Sequence, residues 1–398
     1  MSRQLDRKKK RLRRQNSNVD WRDTLKMFLN KTSFRVGIVL VCAVIIGVAV
    51  YFFGTYRKYN DVDVNEVIKV KSGYNSEFVP FGNFVSMYSR NGISYLDGSD
   101  IVWNESHEMK NPMVDTCGDY LAITDKNTND IFIYDEEGEA GKVTTTYPIV
   151  KMQVAEQGVV AALLKDQDVS YIEMFDKEGN MLVSHKTLLM ENGYPINFSL
   201  SDDGEQIVVS YVQIKNGSIA NRLAVYDFSS TGDGEKNRVI AEFKQYKDQI
   251  VPFVEFVSSS RVAAIGEHMM TTYSMGSNPK IKDEIKIKDE IKQVFYSEDY
   301  IGLVFENDNE KYPYKVQVYD MSLDLVLSVR VNIDFSDIEF AGDNILMYNS
   351  TNAQIISKKG VRKFDYKFKK PIIKMVPLGD DNEFLVARKN NIQKVVLD

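Results

Sequence analysis

The segment IFIYDEEG, residues 131–138, places three carboxylates after a run of apolar side chains. Carboxylates bind hard cations and transfer protons, so this segment is a candidate for metal or acid–base chemistry. Related segments recur along the chain. Copies lie at residues 93–98, 171–179, 222–234, 315–324 and 392–398, with weaker copies at 269–277 and 353–360. A metal site needs carboxylates that converge on one point. Each repeat carries its own copy of the segment, so the carboxylates of different copies lie apart. We therefore predict that Asp135 and its equivalents form turns into outer strands.

Other reactive side chains are few. The three histidines, His107, His185 and His268, have neither the i, i+4 spacing nor the H-x-E pattern of a zinc site. Cys117 lies at a predicted turn without a supporting motif, so we interpret it as a small buried hydrophobic residue rather than a nucleophile. Phosphate-binding and serine-nucleophile motifs are absent from the sequence. We therefore predict no catalytic, metal-binding or cofactor-binding residue, and a protein that is not an enzyme.

The spacing of the copies predicts the fold. Their Asp positions or equivalents are 97, 135, 176, 227, 274, 320, 358 and 398, with intervals of 38 to 51 residues. A period in the forties made of strands is typical of a β-propeller. Short apolar runs precede the copies, for example at 120–124 and 207–211, and we interpret them as inner strands covered on both faces by neighbouring blades. We predict an all-β fold, a β-propeller of eight four-stranded blades, with seven blades as the alternative.

One charged segment could be mistaken for a helix. In KIKDEIKIKDEIK, residues 280–292, isoleucines occupy positions 281, 285, 287 and 291. All four positions are odd, which places them on one face of a strand, whereas a helical period fits them poorly. We predict an outer strand, a turn near residues 289–290 and the first strand of the next blade.

The last copy ends at Asp398, which leaves the eighth blade without an outer strand. An unpaired edge at this position would leave the ring open. The segment VNEVIKVK, residues 64–71, precedes the first blade and has the strand-forming residues Val67, Ile68 and Val70. We predict that it pairs with residues 391–396 and closes the ring.

A second pattern concerns the membrane. Residues 36–53 carry no charge, and the uncharged stretch continues to Tyr56, which is long enough for one transmembrane helix. The preceding 35 residues hold 12 basic and 3 acidic side chains, including RKKKRLRR at residues 7–14. A basic run beside a span stays in the cytoplasm and attracts anionic lipid, so we expect membrane lipid rather than nucleic acid as its partner. We predict a single-pass protein of the cell membrane with a cytoplasmic N-terminus and an extracellular propeller.

These patterns divide the chain into four parts. We predict a basic cytoplasmic tail (residues 1–35), a transmembrane helix (36–56), a juxtamembrane linker with the closing strand (57–73) and the propeller domain (74–398). Subtracting the tail from the whole chain leaves 38 basic and 53 acidic residues, so the remainder has a net charge of −15. The acidic body and the basic tail are thus distinct in composition.

The segment FSLSDDGEQIVVSY, residues 198–211, resembles the F-S-P-D-G-x-x-I-A stretch of WD40-like and quinoprotein-like propellers, with Asp203 and Gly204 as its hairpin turn. Quinoprotein enzymes usually carry a tryptophan in most blades, whereas this body has only Trp103, which we interpret as a packing residue. The whole chain resembles an uncharacterised family of membrane-anchored propellers from Gram-positive bacteria. The resemblance implies a bacterial membrane protein and assigns no reaction.

Propellers bind ligands mainly through the loops between second and third strands. Polar and aromatic residues in these predicted loops are candidates for partner binding: Asn127, Asn129, Asp166, Asn216, Asn309, Tyr312 and Tyr314. We predict a noncatalytic protein-interaction or sensing scaffold at the cell envelope, which binds an unknown protein on one propeller face. The alternative is an extracytoplasmic hydrolase or lyase with carboxylates at the channel mouth, which would show perturbed pKa values there.

Overall fold

The computed structural model describes residues 32–69, 76–97, 100–215, 217–379 and 382–398. Most of the predicted basic tail, the loop residue Asn216 and the strand residue Val70 lie outside this described part. The chain divides into two compact units, with the boundary between Arg57 and Lys58. The second unit begins before the predicted propeller start at residue 74, because a strand before that residue belongs to a blade.

The first unit contains the helix α1 (Thr32–Tyr56), which starts four residues before the predicted span. Arg35 is its only charged residue. At about 1.5 Å per residue, 25 residues extend beyond the roughly 30 Å of a hydrocarbon core. By length and composition, the part from Val39 to Tyr56 is able to cross a membrane.

The second unit begins with β1 (Val62–Ile68) and continues with the first four blades, in each of which the strands run in order from the innermost outwards. Blade 1 comprises β2 (Glu77–Phe81), β3 (Phe84–Ser89), β4 (Gly92–Asp97) and β5 (Asp100–Ser106). Blade 2 comprises β6 (Pro112–Cys117), β7 (Tyr120–Asp125), β8 (Asp130–Asp135) and β9 (Gly138–Thr144). Blade 3 comprises β10 (Ile149–Val154), β11 (Val160–Asp166), β12 (Val169–Phe175) and β13 (Met181–Leu188). After the single helical turn α2 (Leu189–Asn192), blade 4 comprises β14 (Tyr194–Leu200), β15 (Gln206–Lys215), β16 (Ser218–Asp227) and β17 (Val239–Phe243), with two 3₁₀ turns at Ser230–Gly234 and Lys236–Arg238 before β17.

The remaining four blades repeat this order. Blade 5 comprises β18 (Phe253–Ser258), β19 (Arg261–Ile265), β20 (Met269–Ser274) and β21 (Lys280–Lys286). Blade 6 comprises β22 (Ile291–Tyr296), β23 (Tyr300–Glu306), β24 (Tyr314–Asp320) and β25 (Leu325–Val331). Blade 7 comprises β26 (Asp337–Ala341), β27 (Asn344–Tyr348), β28 (Asn352–Ser357) and β29 (Arg362–Lys367). Blade 8 comprises β30 (Lys374–Pro377), β31 (Glu383–Arg388), β32 (Asn391–Leu397) and β1.

Eight four-stranded antiparallel sheets confirm the predicted all-β propeller and its blade number. The charged segment at residues 280–292 forms β21, a turn and the start of β22, as the spacing of its isoleucines predicts. The apolar runs interpreted as inner strands are the second strand of each sheet, and a preceding strand in each blade lies closer to the axis.

The hydrophobic core is distributed between blades. Among the described residues, eight hydrophobic clusters are found, one between each pair of neighbouring blades. The cluster between blades 8 and 1 includes Ile68, Phe78 and Leu385. Each sheet therefore buries both of its faces, which explains why the second strands are apolar at successive positions. Stability depends on every blade having two neighbours.

The recurring Asp residues form turns, as predicted. Asp135 Oδ1 accepts hydrogen bonds from the backbone N–H of Glu137 (2.8 Å) and of Gly138 (3.1 Å). Asp320 Oδ1 accepts equivalent bonds from Ser322 (2.9 Å) and Asp324 (3.1 Å). Each such Asp thus satisfies backbone donors between the third and fourth strands of its own blade.

Ring closure follows the predicted pairing. The first strand, β1, is antiparallel to β32, with Val62 opposite Leu397 and Ile68 opposite Ile392. The strand covers Val62–Ile68 rather than residues 64–71, because the pairing begins earlier in the chain. Tyr59, which precedes it, is buried, and its N–H donates to the carbonyl of Lys363 in blade 7 (2.7 Å). The first and the last residues of the second unit therefore together hold blade 8 to its neighbours, blades 7 and 1.

The closing strand offers a matched pair of substitutions. Ile68 is 4% exposed within the cluster between blades 8 and 1, whereas Val64 on the same strand is 49% exposed. Ile68→Ala should lower the free energy of unfolding by about 2–5 kcal/mol, because it leaves a cavity at the seam. Val64→Ala should change it by less than about 0.5 kcal/mol. Urea unfolding of both variants checks this, and equal effects would contradict a closing role for Ile68.

Candidate functional site

Strand direction gives the propeller two different faces. Successive strands in a blade are antiparallel, so loops between second and third strands lie on the same face as the connections between blades. We call this the upper face. The turns between first and second strands, and between third and fourth strands, form the lower face. The residues predicted to bind a partner come from the upper face.

The predicted binding residues do not form one cluster. Asn127 and Asn129 lie in blade 2 and Asp166 in blade 3, whereas Asn309 and Tyr312 lie in the upper loop of blade 6. Tyr314 begins β24 beside that loop. In a ring of eight, blades 2 and 6 are on opposite sides of the axis, so these residues cannot contact one small ligand.

Several of these side chains hold their own loops. Asn129 Nδ2 donates to the carbonyl of Thr145 (2.9 Å), and Asn309 Oδ1 accepts from the N–H of Lys311 (3.0 Å). The Tyr314 ring packs against Phe335 with ring centroids 5.0 Å apart. Their polarity is therefore explained by turn formation and packing, as is common for Asn in loops.

An apolar patch on the upper face was not predicted. The strands β15 and β16 have 10 residues each, whereas the second and third strands of the other blades have five to seven. The extended hairpin carries Ile214, which is 78% exposed, and Ile219. Beside it, α2 exposes Leu189 and Met190, the latter by 92%. We call these four residues the hairpin patch.

Hydrogen bonds join the two parts of the hairpin patch. Gln213 Nε2 donates to the carbonyl of Glu191 (2.8 Å), and Arg222 Nη2 donates to the carbonyl of Asn192 (3.1 Å). Both acceptors belong to α2. The hairpin and the helical turn are therefore positioned as one surface. The sequence signal for this surface is the long QIKNGSIAN loop, residues 213–221, which carries Ile214 and Ile219 as well as the predicted binding residue Asn216.

The central channel contains a second group of functional candidates. Innermost strands direct polar side chains towards the axis, where they bond to other blades. Asp115 Oδ2 on β6 accepts from the N–H of Val154 on β10 (2.8 Å). Lys151 Nζ on β10 donates to Asn197 Oδ1 (2.6 Å) and to the carbonyl of Phe198 (2.7 Å), both on β14. These contacts fasten blades 2, 3 and 4 to one another.

Further bonds reach blade 5. Gln153 Nε2 donates to Glu255 Oε1 (2.8 Å), which links blade 3 to blade 5 past blade 4. Ser199 Oγ on blade 4 also donates to Glu255 Oε1 (3.0 Å) and accepts from the N–H of Phe256 (2.9 Å). The side chains Asp115, Lys151, Gln153, Ser199 and Glu255 thus form a continuous group, which we call the channel network.

Burial shifts the ionisation of this network. The pKa of Asp115 is raised from 3.8 to about 7, mainly by burial and also by the negative charge of Glu255, against the opposing effects of the Val154 N–H and Lys151. Burial likewise raises the pKa of Glu255 and lowers that of Lys151. On the other side of the axis, burial raises the pKa of Glu339 on β26 to about 7. Two channel carboxyls therefore exchange protons near neutral pH.

A sequence signal for these residues existed. Each innermost strand concerned has a charged residue in its middle with apolar residues beside it, as in PMVDTC, IVKMQV, FVEFVS and DIEFA. Such a position indicates a strand with one side towards the channel. The repeated segments from which the fold is predicted lie on the second and third strands instead.

The histidines and Cys117 remain apart. His107 lies within 2.6 Å of the hydroxyl of Tyr134, and within the described ranges no three His, Cys, Asp or Glu side chains are grouped as a metal site. Cys117 is half-buried rather than buried as expected, because it lies at the lower end of β6. Burial raises the pKa of its thiol to about 12, with added repulsion from Asp202. A thiol in this state is a poor nucleophile.

The closed ring of eight blades defines the class of this protein as a β-propeller. The family described as "Family of unknown function (DUF5711)" matches residues 55–397, so the chain belongs to this family. No curated protein matches its sequence.

Solved propellers share the fold at low identity. Sqt1 from Chaetomium thermophilum is 11% identical, with a TM-score of 0.53 over 85% of this chain and 100% of that one. A structure described as the eukaryotic initiation factor is 12% identical, with a TM-score of 0.50 over 75% and 79% of the two chains. The WD40 domain of Neurospora crassa Pan2 is 13% identical, with a TM-score of 0.43 over 72% and 88%. At such low identities, the similarities to Sqt1 and to the initiation factor show a shared fold and nothing about function.

The channel network predicts a pH dependence of stability. A carboxyl whose pKa is raised by folding binds more protons in the folded state, so its protonation stabilises the fold. For Asp115, with its pKa raised from 3.8 to about 7, this stabilisation is present at low pH and is lost as the pH rises to about 7. Asp115→Asn keeps an acceptor for Val154 and should flatten this decline, as measured by urea unfolding between about pH 5 and pH 8.

Glu108→Gln is the matched control, because it removes an exposed carboxylate from a loop of the same propeller. This variant should keep the pH dependence of the unmodified protein. The assignment to Asp115 would be wrong if both variants kept the full decline.

Proposed function

We propose that this protein is a membrane-anchored propeller that binds a partner protein through the hairpin patch and catalyses no reaction. The observation that carries the proposal is the exposure of Met190 and Ile214 on adjoining elements of the upper face. Large apolar side chains at the tip of an extended hairpin lose contact with water only when another molecule covers them. A scaffold or sensor uses such a surface.

The surroundings of the hairpin patch suit a protein interface. Apolar anchors at its centre are ringed by polar side chains such as Gln213 and Glu191, as in interfaces with a dry centre and a wet rim. The hydrogen bonds between the hairpin and α2 hold the backbone in place before binding, which reduces the entropy lost on association. The loops of blades 2, 3 and 6, with Asn127, Asp166 and Tyr312, lie on the same face and extend the surface available to a large partner.

A second candidate function is an extracytoplasmic hydrolase or lyase. The raised pKa values of Asp115 and Glu339, both about 7, favour it, since a general acid or base works best near the ambient pH. Against it, Asp115 and Glu255 accept hydrogen bonds from neighbouring blades. Bonds of this kind serve to fasten blades, and they favour the scaffold.

Anchoring in the cell membrane is part of the proposal. The apolar helix α1 supports a single span, and the positive charge of the preceding tail supports a cytoplasmic N-terminus. The propeller would then lie outside the cell, with lipid as the partner of the span and tail. Nucleic acid has no part in this proposal.

The docking proposal is tested by charge substitution in the hairpin patch. Met190→Glu and Ile214→Glu place a carboxylate at the proposed anchors and should each weaken partner binding at least about tenfold, because a buried unpaired charge is costly. Crosslinking of the full-length protein in native membranes, followed by quantitative mass spectrometry, measures the loss of specific partners.

Met181→Glu is the control, because Met181 is 52% exposed but lies on the outer strand of blade 3. It should retain every partner that the unmodified protein captures. Identical partner sets for all three variants would exclude the hairpin patch as the docking surface.

The topology is tested separately. Protease added to intact protoplasts should digest the propeller and leave a membrane-bound fragment that contains the span, because the positive-inside rule keeps the basic tail inside. Immunodetection of a tag placed before residue 32 measures this fragment. Full protection of the propeller until the cells are lysed would reverse the orientation.

A further inference from the structure

A groove lies between blades 7 and 8, beside the closing strand. Its volume is about 470 Å³, within the range of small-molecule sites. We call it the seam groove. It is lined by Val62, Val64, Tyr366, Phe368, Lys369, Lys370, Pro371, Ile372, Ile373, Arg388, Lys389, Asn390, Asn391 and Gln393. These residues come from β1, β29, β31, β32, the turn between β31 and β32, and the connection between blades 7 and 8.

The charge of the seam groove contrasts with that of the chain around it. Its lining includes Lys369, Lys370, Arg388 and Lys389, and none of its fourteen residues is acidic. The chain after residue 35 has a net charge of −15, from 38 basic and 53 acidic residues. Four cationic side chains in the lining of one groove contribute a local positive potential, and such a potential attracts anions.

Arg388 is held in a fixed position. Its Nη1 donates to the carbonyls of Lys370 (2.5 Å) and Pro371 (3.3 Å), and its Nε donates to Gln393 Oε1 (3.0 Å). The guanidinium also lies over the ring of Phe368, 5.3 Å from its centroid. These contacts restrict the side chain before any ligand binds, so little entropy is lost on binding.

The loop that carries the two lysines adds backbone donors. Phe368 and Ile372 use their N–H groups to bond to the carbonyls of Thr351 and Ser350 in blade 7. Between them, the N–H groups of Lys369 and Lys370 donate no hydrogen bond to any described residue. Both residues are exposed. Free N–H groups beside ammonium groups are the donors that phosphate oxygens require.

One wall of the seam groove is apolar. Tyr366 and Phe368 pack edge to face with ring centroids 5.1 Å apart, and Ile372 and the two valines of β1 complete this wall. A bare inorganic anion would leave the exposed part of this wall, Tyr366 and the two valines, in contact with water. A ligand with a charged head and an apolar body would use both parts of the groove.

We propose that the seam groove binds a phosphate monoester that carries an aromatic or aliphatic group. Lys369, Lys370 and Arg388 hold the phosphate, and the Tyr366 and Phe368 side chains contact the apolar group. Such a phosphate belongs either to a soluble ester or to a lipid headgroup. The site is distinct from the hairpin patch, which lies on blades 3 and 4, so either proposal can fail without the other.

Binding at this groove is linked to ring closure. Val62 and Val64 belong to β1, which is held in blade 8 by its pairing with β32. A ligand that contacts these valines binds only the closed ring and therefore stabilises it. Phenyl phosphate should raise the melting temperature of the full-length protein, and inorganic phosphate at the same concentration should raise it less.

The test uses the full-length protein in nanodiscs of phosphatidylcholine, titrated with phenyl phosphate by calorimetry. Lys370→Glu reverses one charge at an exposed position and should weaken binding at least about tenfold. Lys126→Glu makes the same change in an exposed upper loop of blade 2 and should leave binding unchanged. Equal affinity in Lys370→Glu and Lys126→Glu would overturn the site, and inorganic phosphate binding as tightly as phenyl phosphate would overturn the apolar part of the proposal.

A second titration separates the two sources of the phosphate. Nanodiscs that contain phosphatidic acid should compete with phenyl phosphate if a lipid headgroup reaches the seam groove. Unchanged phenyl phosphate affinity in these nanodiscs would identify a soluble ester as the ligand. Both results retain the site, provided that Lys370→Glu has lost binding, and neither depends on a protein partner at the hairpin patch.

Discussion

Ring closure by β1 is the constraint on which the other features of this propeller depend. Every blade buries both faces against its neighbours, so an open ring would expose two apolar sheet faces at once. The fourth strand of blade 8 comes from residues 62–68, whereas its other strands come from residues 374–397. Because this pairing joins the two ends of the unit, its contacts form only after a long loop has closed. The seam groove is a product of the same closure, since β1 forms part of its wall.

The channel network has a different role from the apolar clusters. Apolar contacts between sheets are non-directional, whereas the bonds from Asp115, Lys151 and Glu255 to other blades have defined partners and angles. They therefore specify how blades 2 to 5 are arranged about the axis. Glu339 on the opposite side is less well satisfied, because its Oε1 is buried and has no partner among the described residues. The channel is thus asymmetric, with a bonded half and a half that retains an unused acceptor.

Several of the polar and aromatic residues predicted to bind a partner have structural roles in their own loops. Asn129 and Asn309 are polar because their side chains complete loops, and Tyr314 packs against its neighbour Phe335. The surface that we propose for partner binding is apolar, and it combines an extended hairpin with a helical turn from the preceding connection. In a propeller, the residues that shape loops are under structural constraint, whereas an exposed apolar side chain such as Met190 has no structural reason to be there.

The sequence by itself determined the blade number, the turns at Asp135 and its equivalents, the apolar helix and the closing strand. These features depend on local chemistry or on counting, since a strand alternates every two residues and the repeated segments can be counted along the chain. Only the tertiary structure decided which side chains meet. Asp115 and Glu255 are far apart in the sequence. They belong to one network because closure of the ring turns their strands towards the same axis. The hairpin patch and the seam groove likewise join segments from neighbouring blades, and no local pattern encodes the angle at which two blades pack.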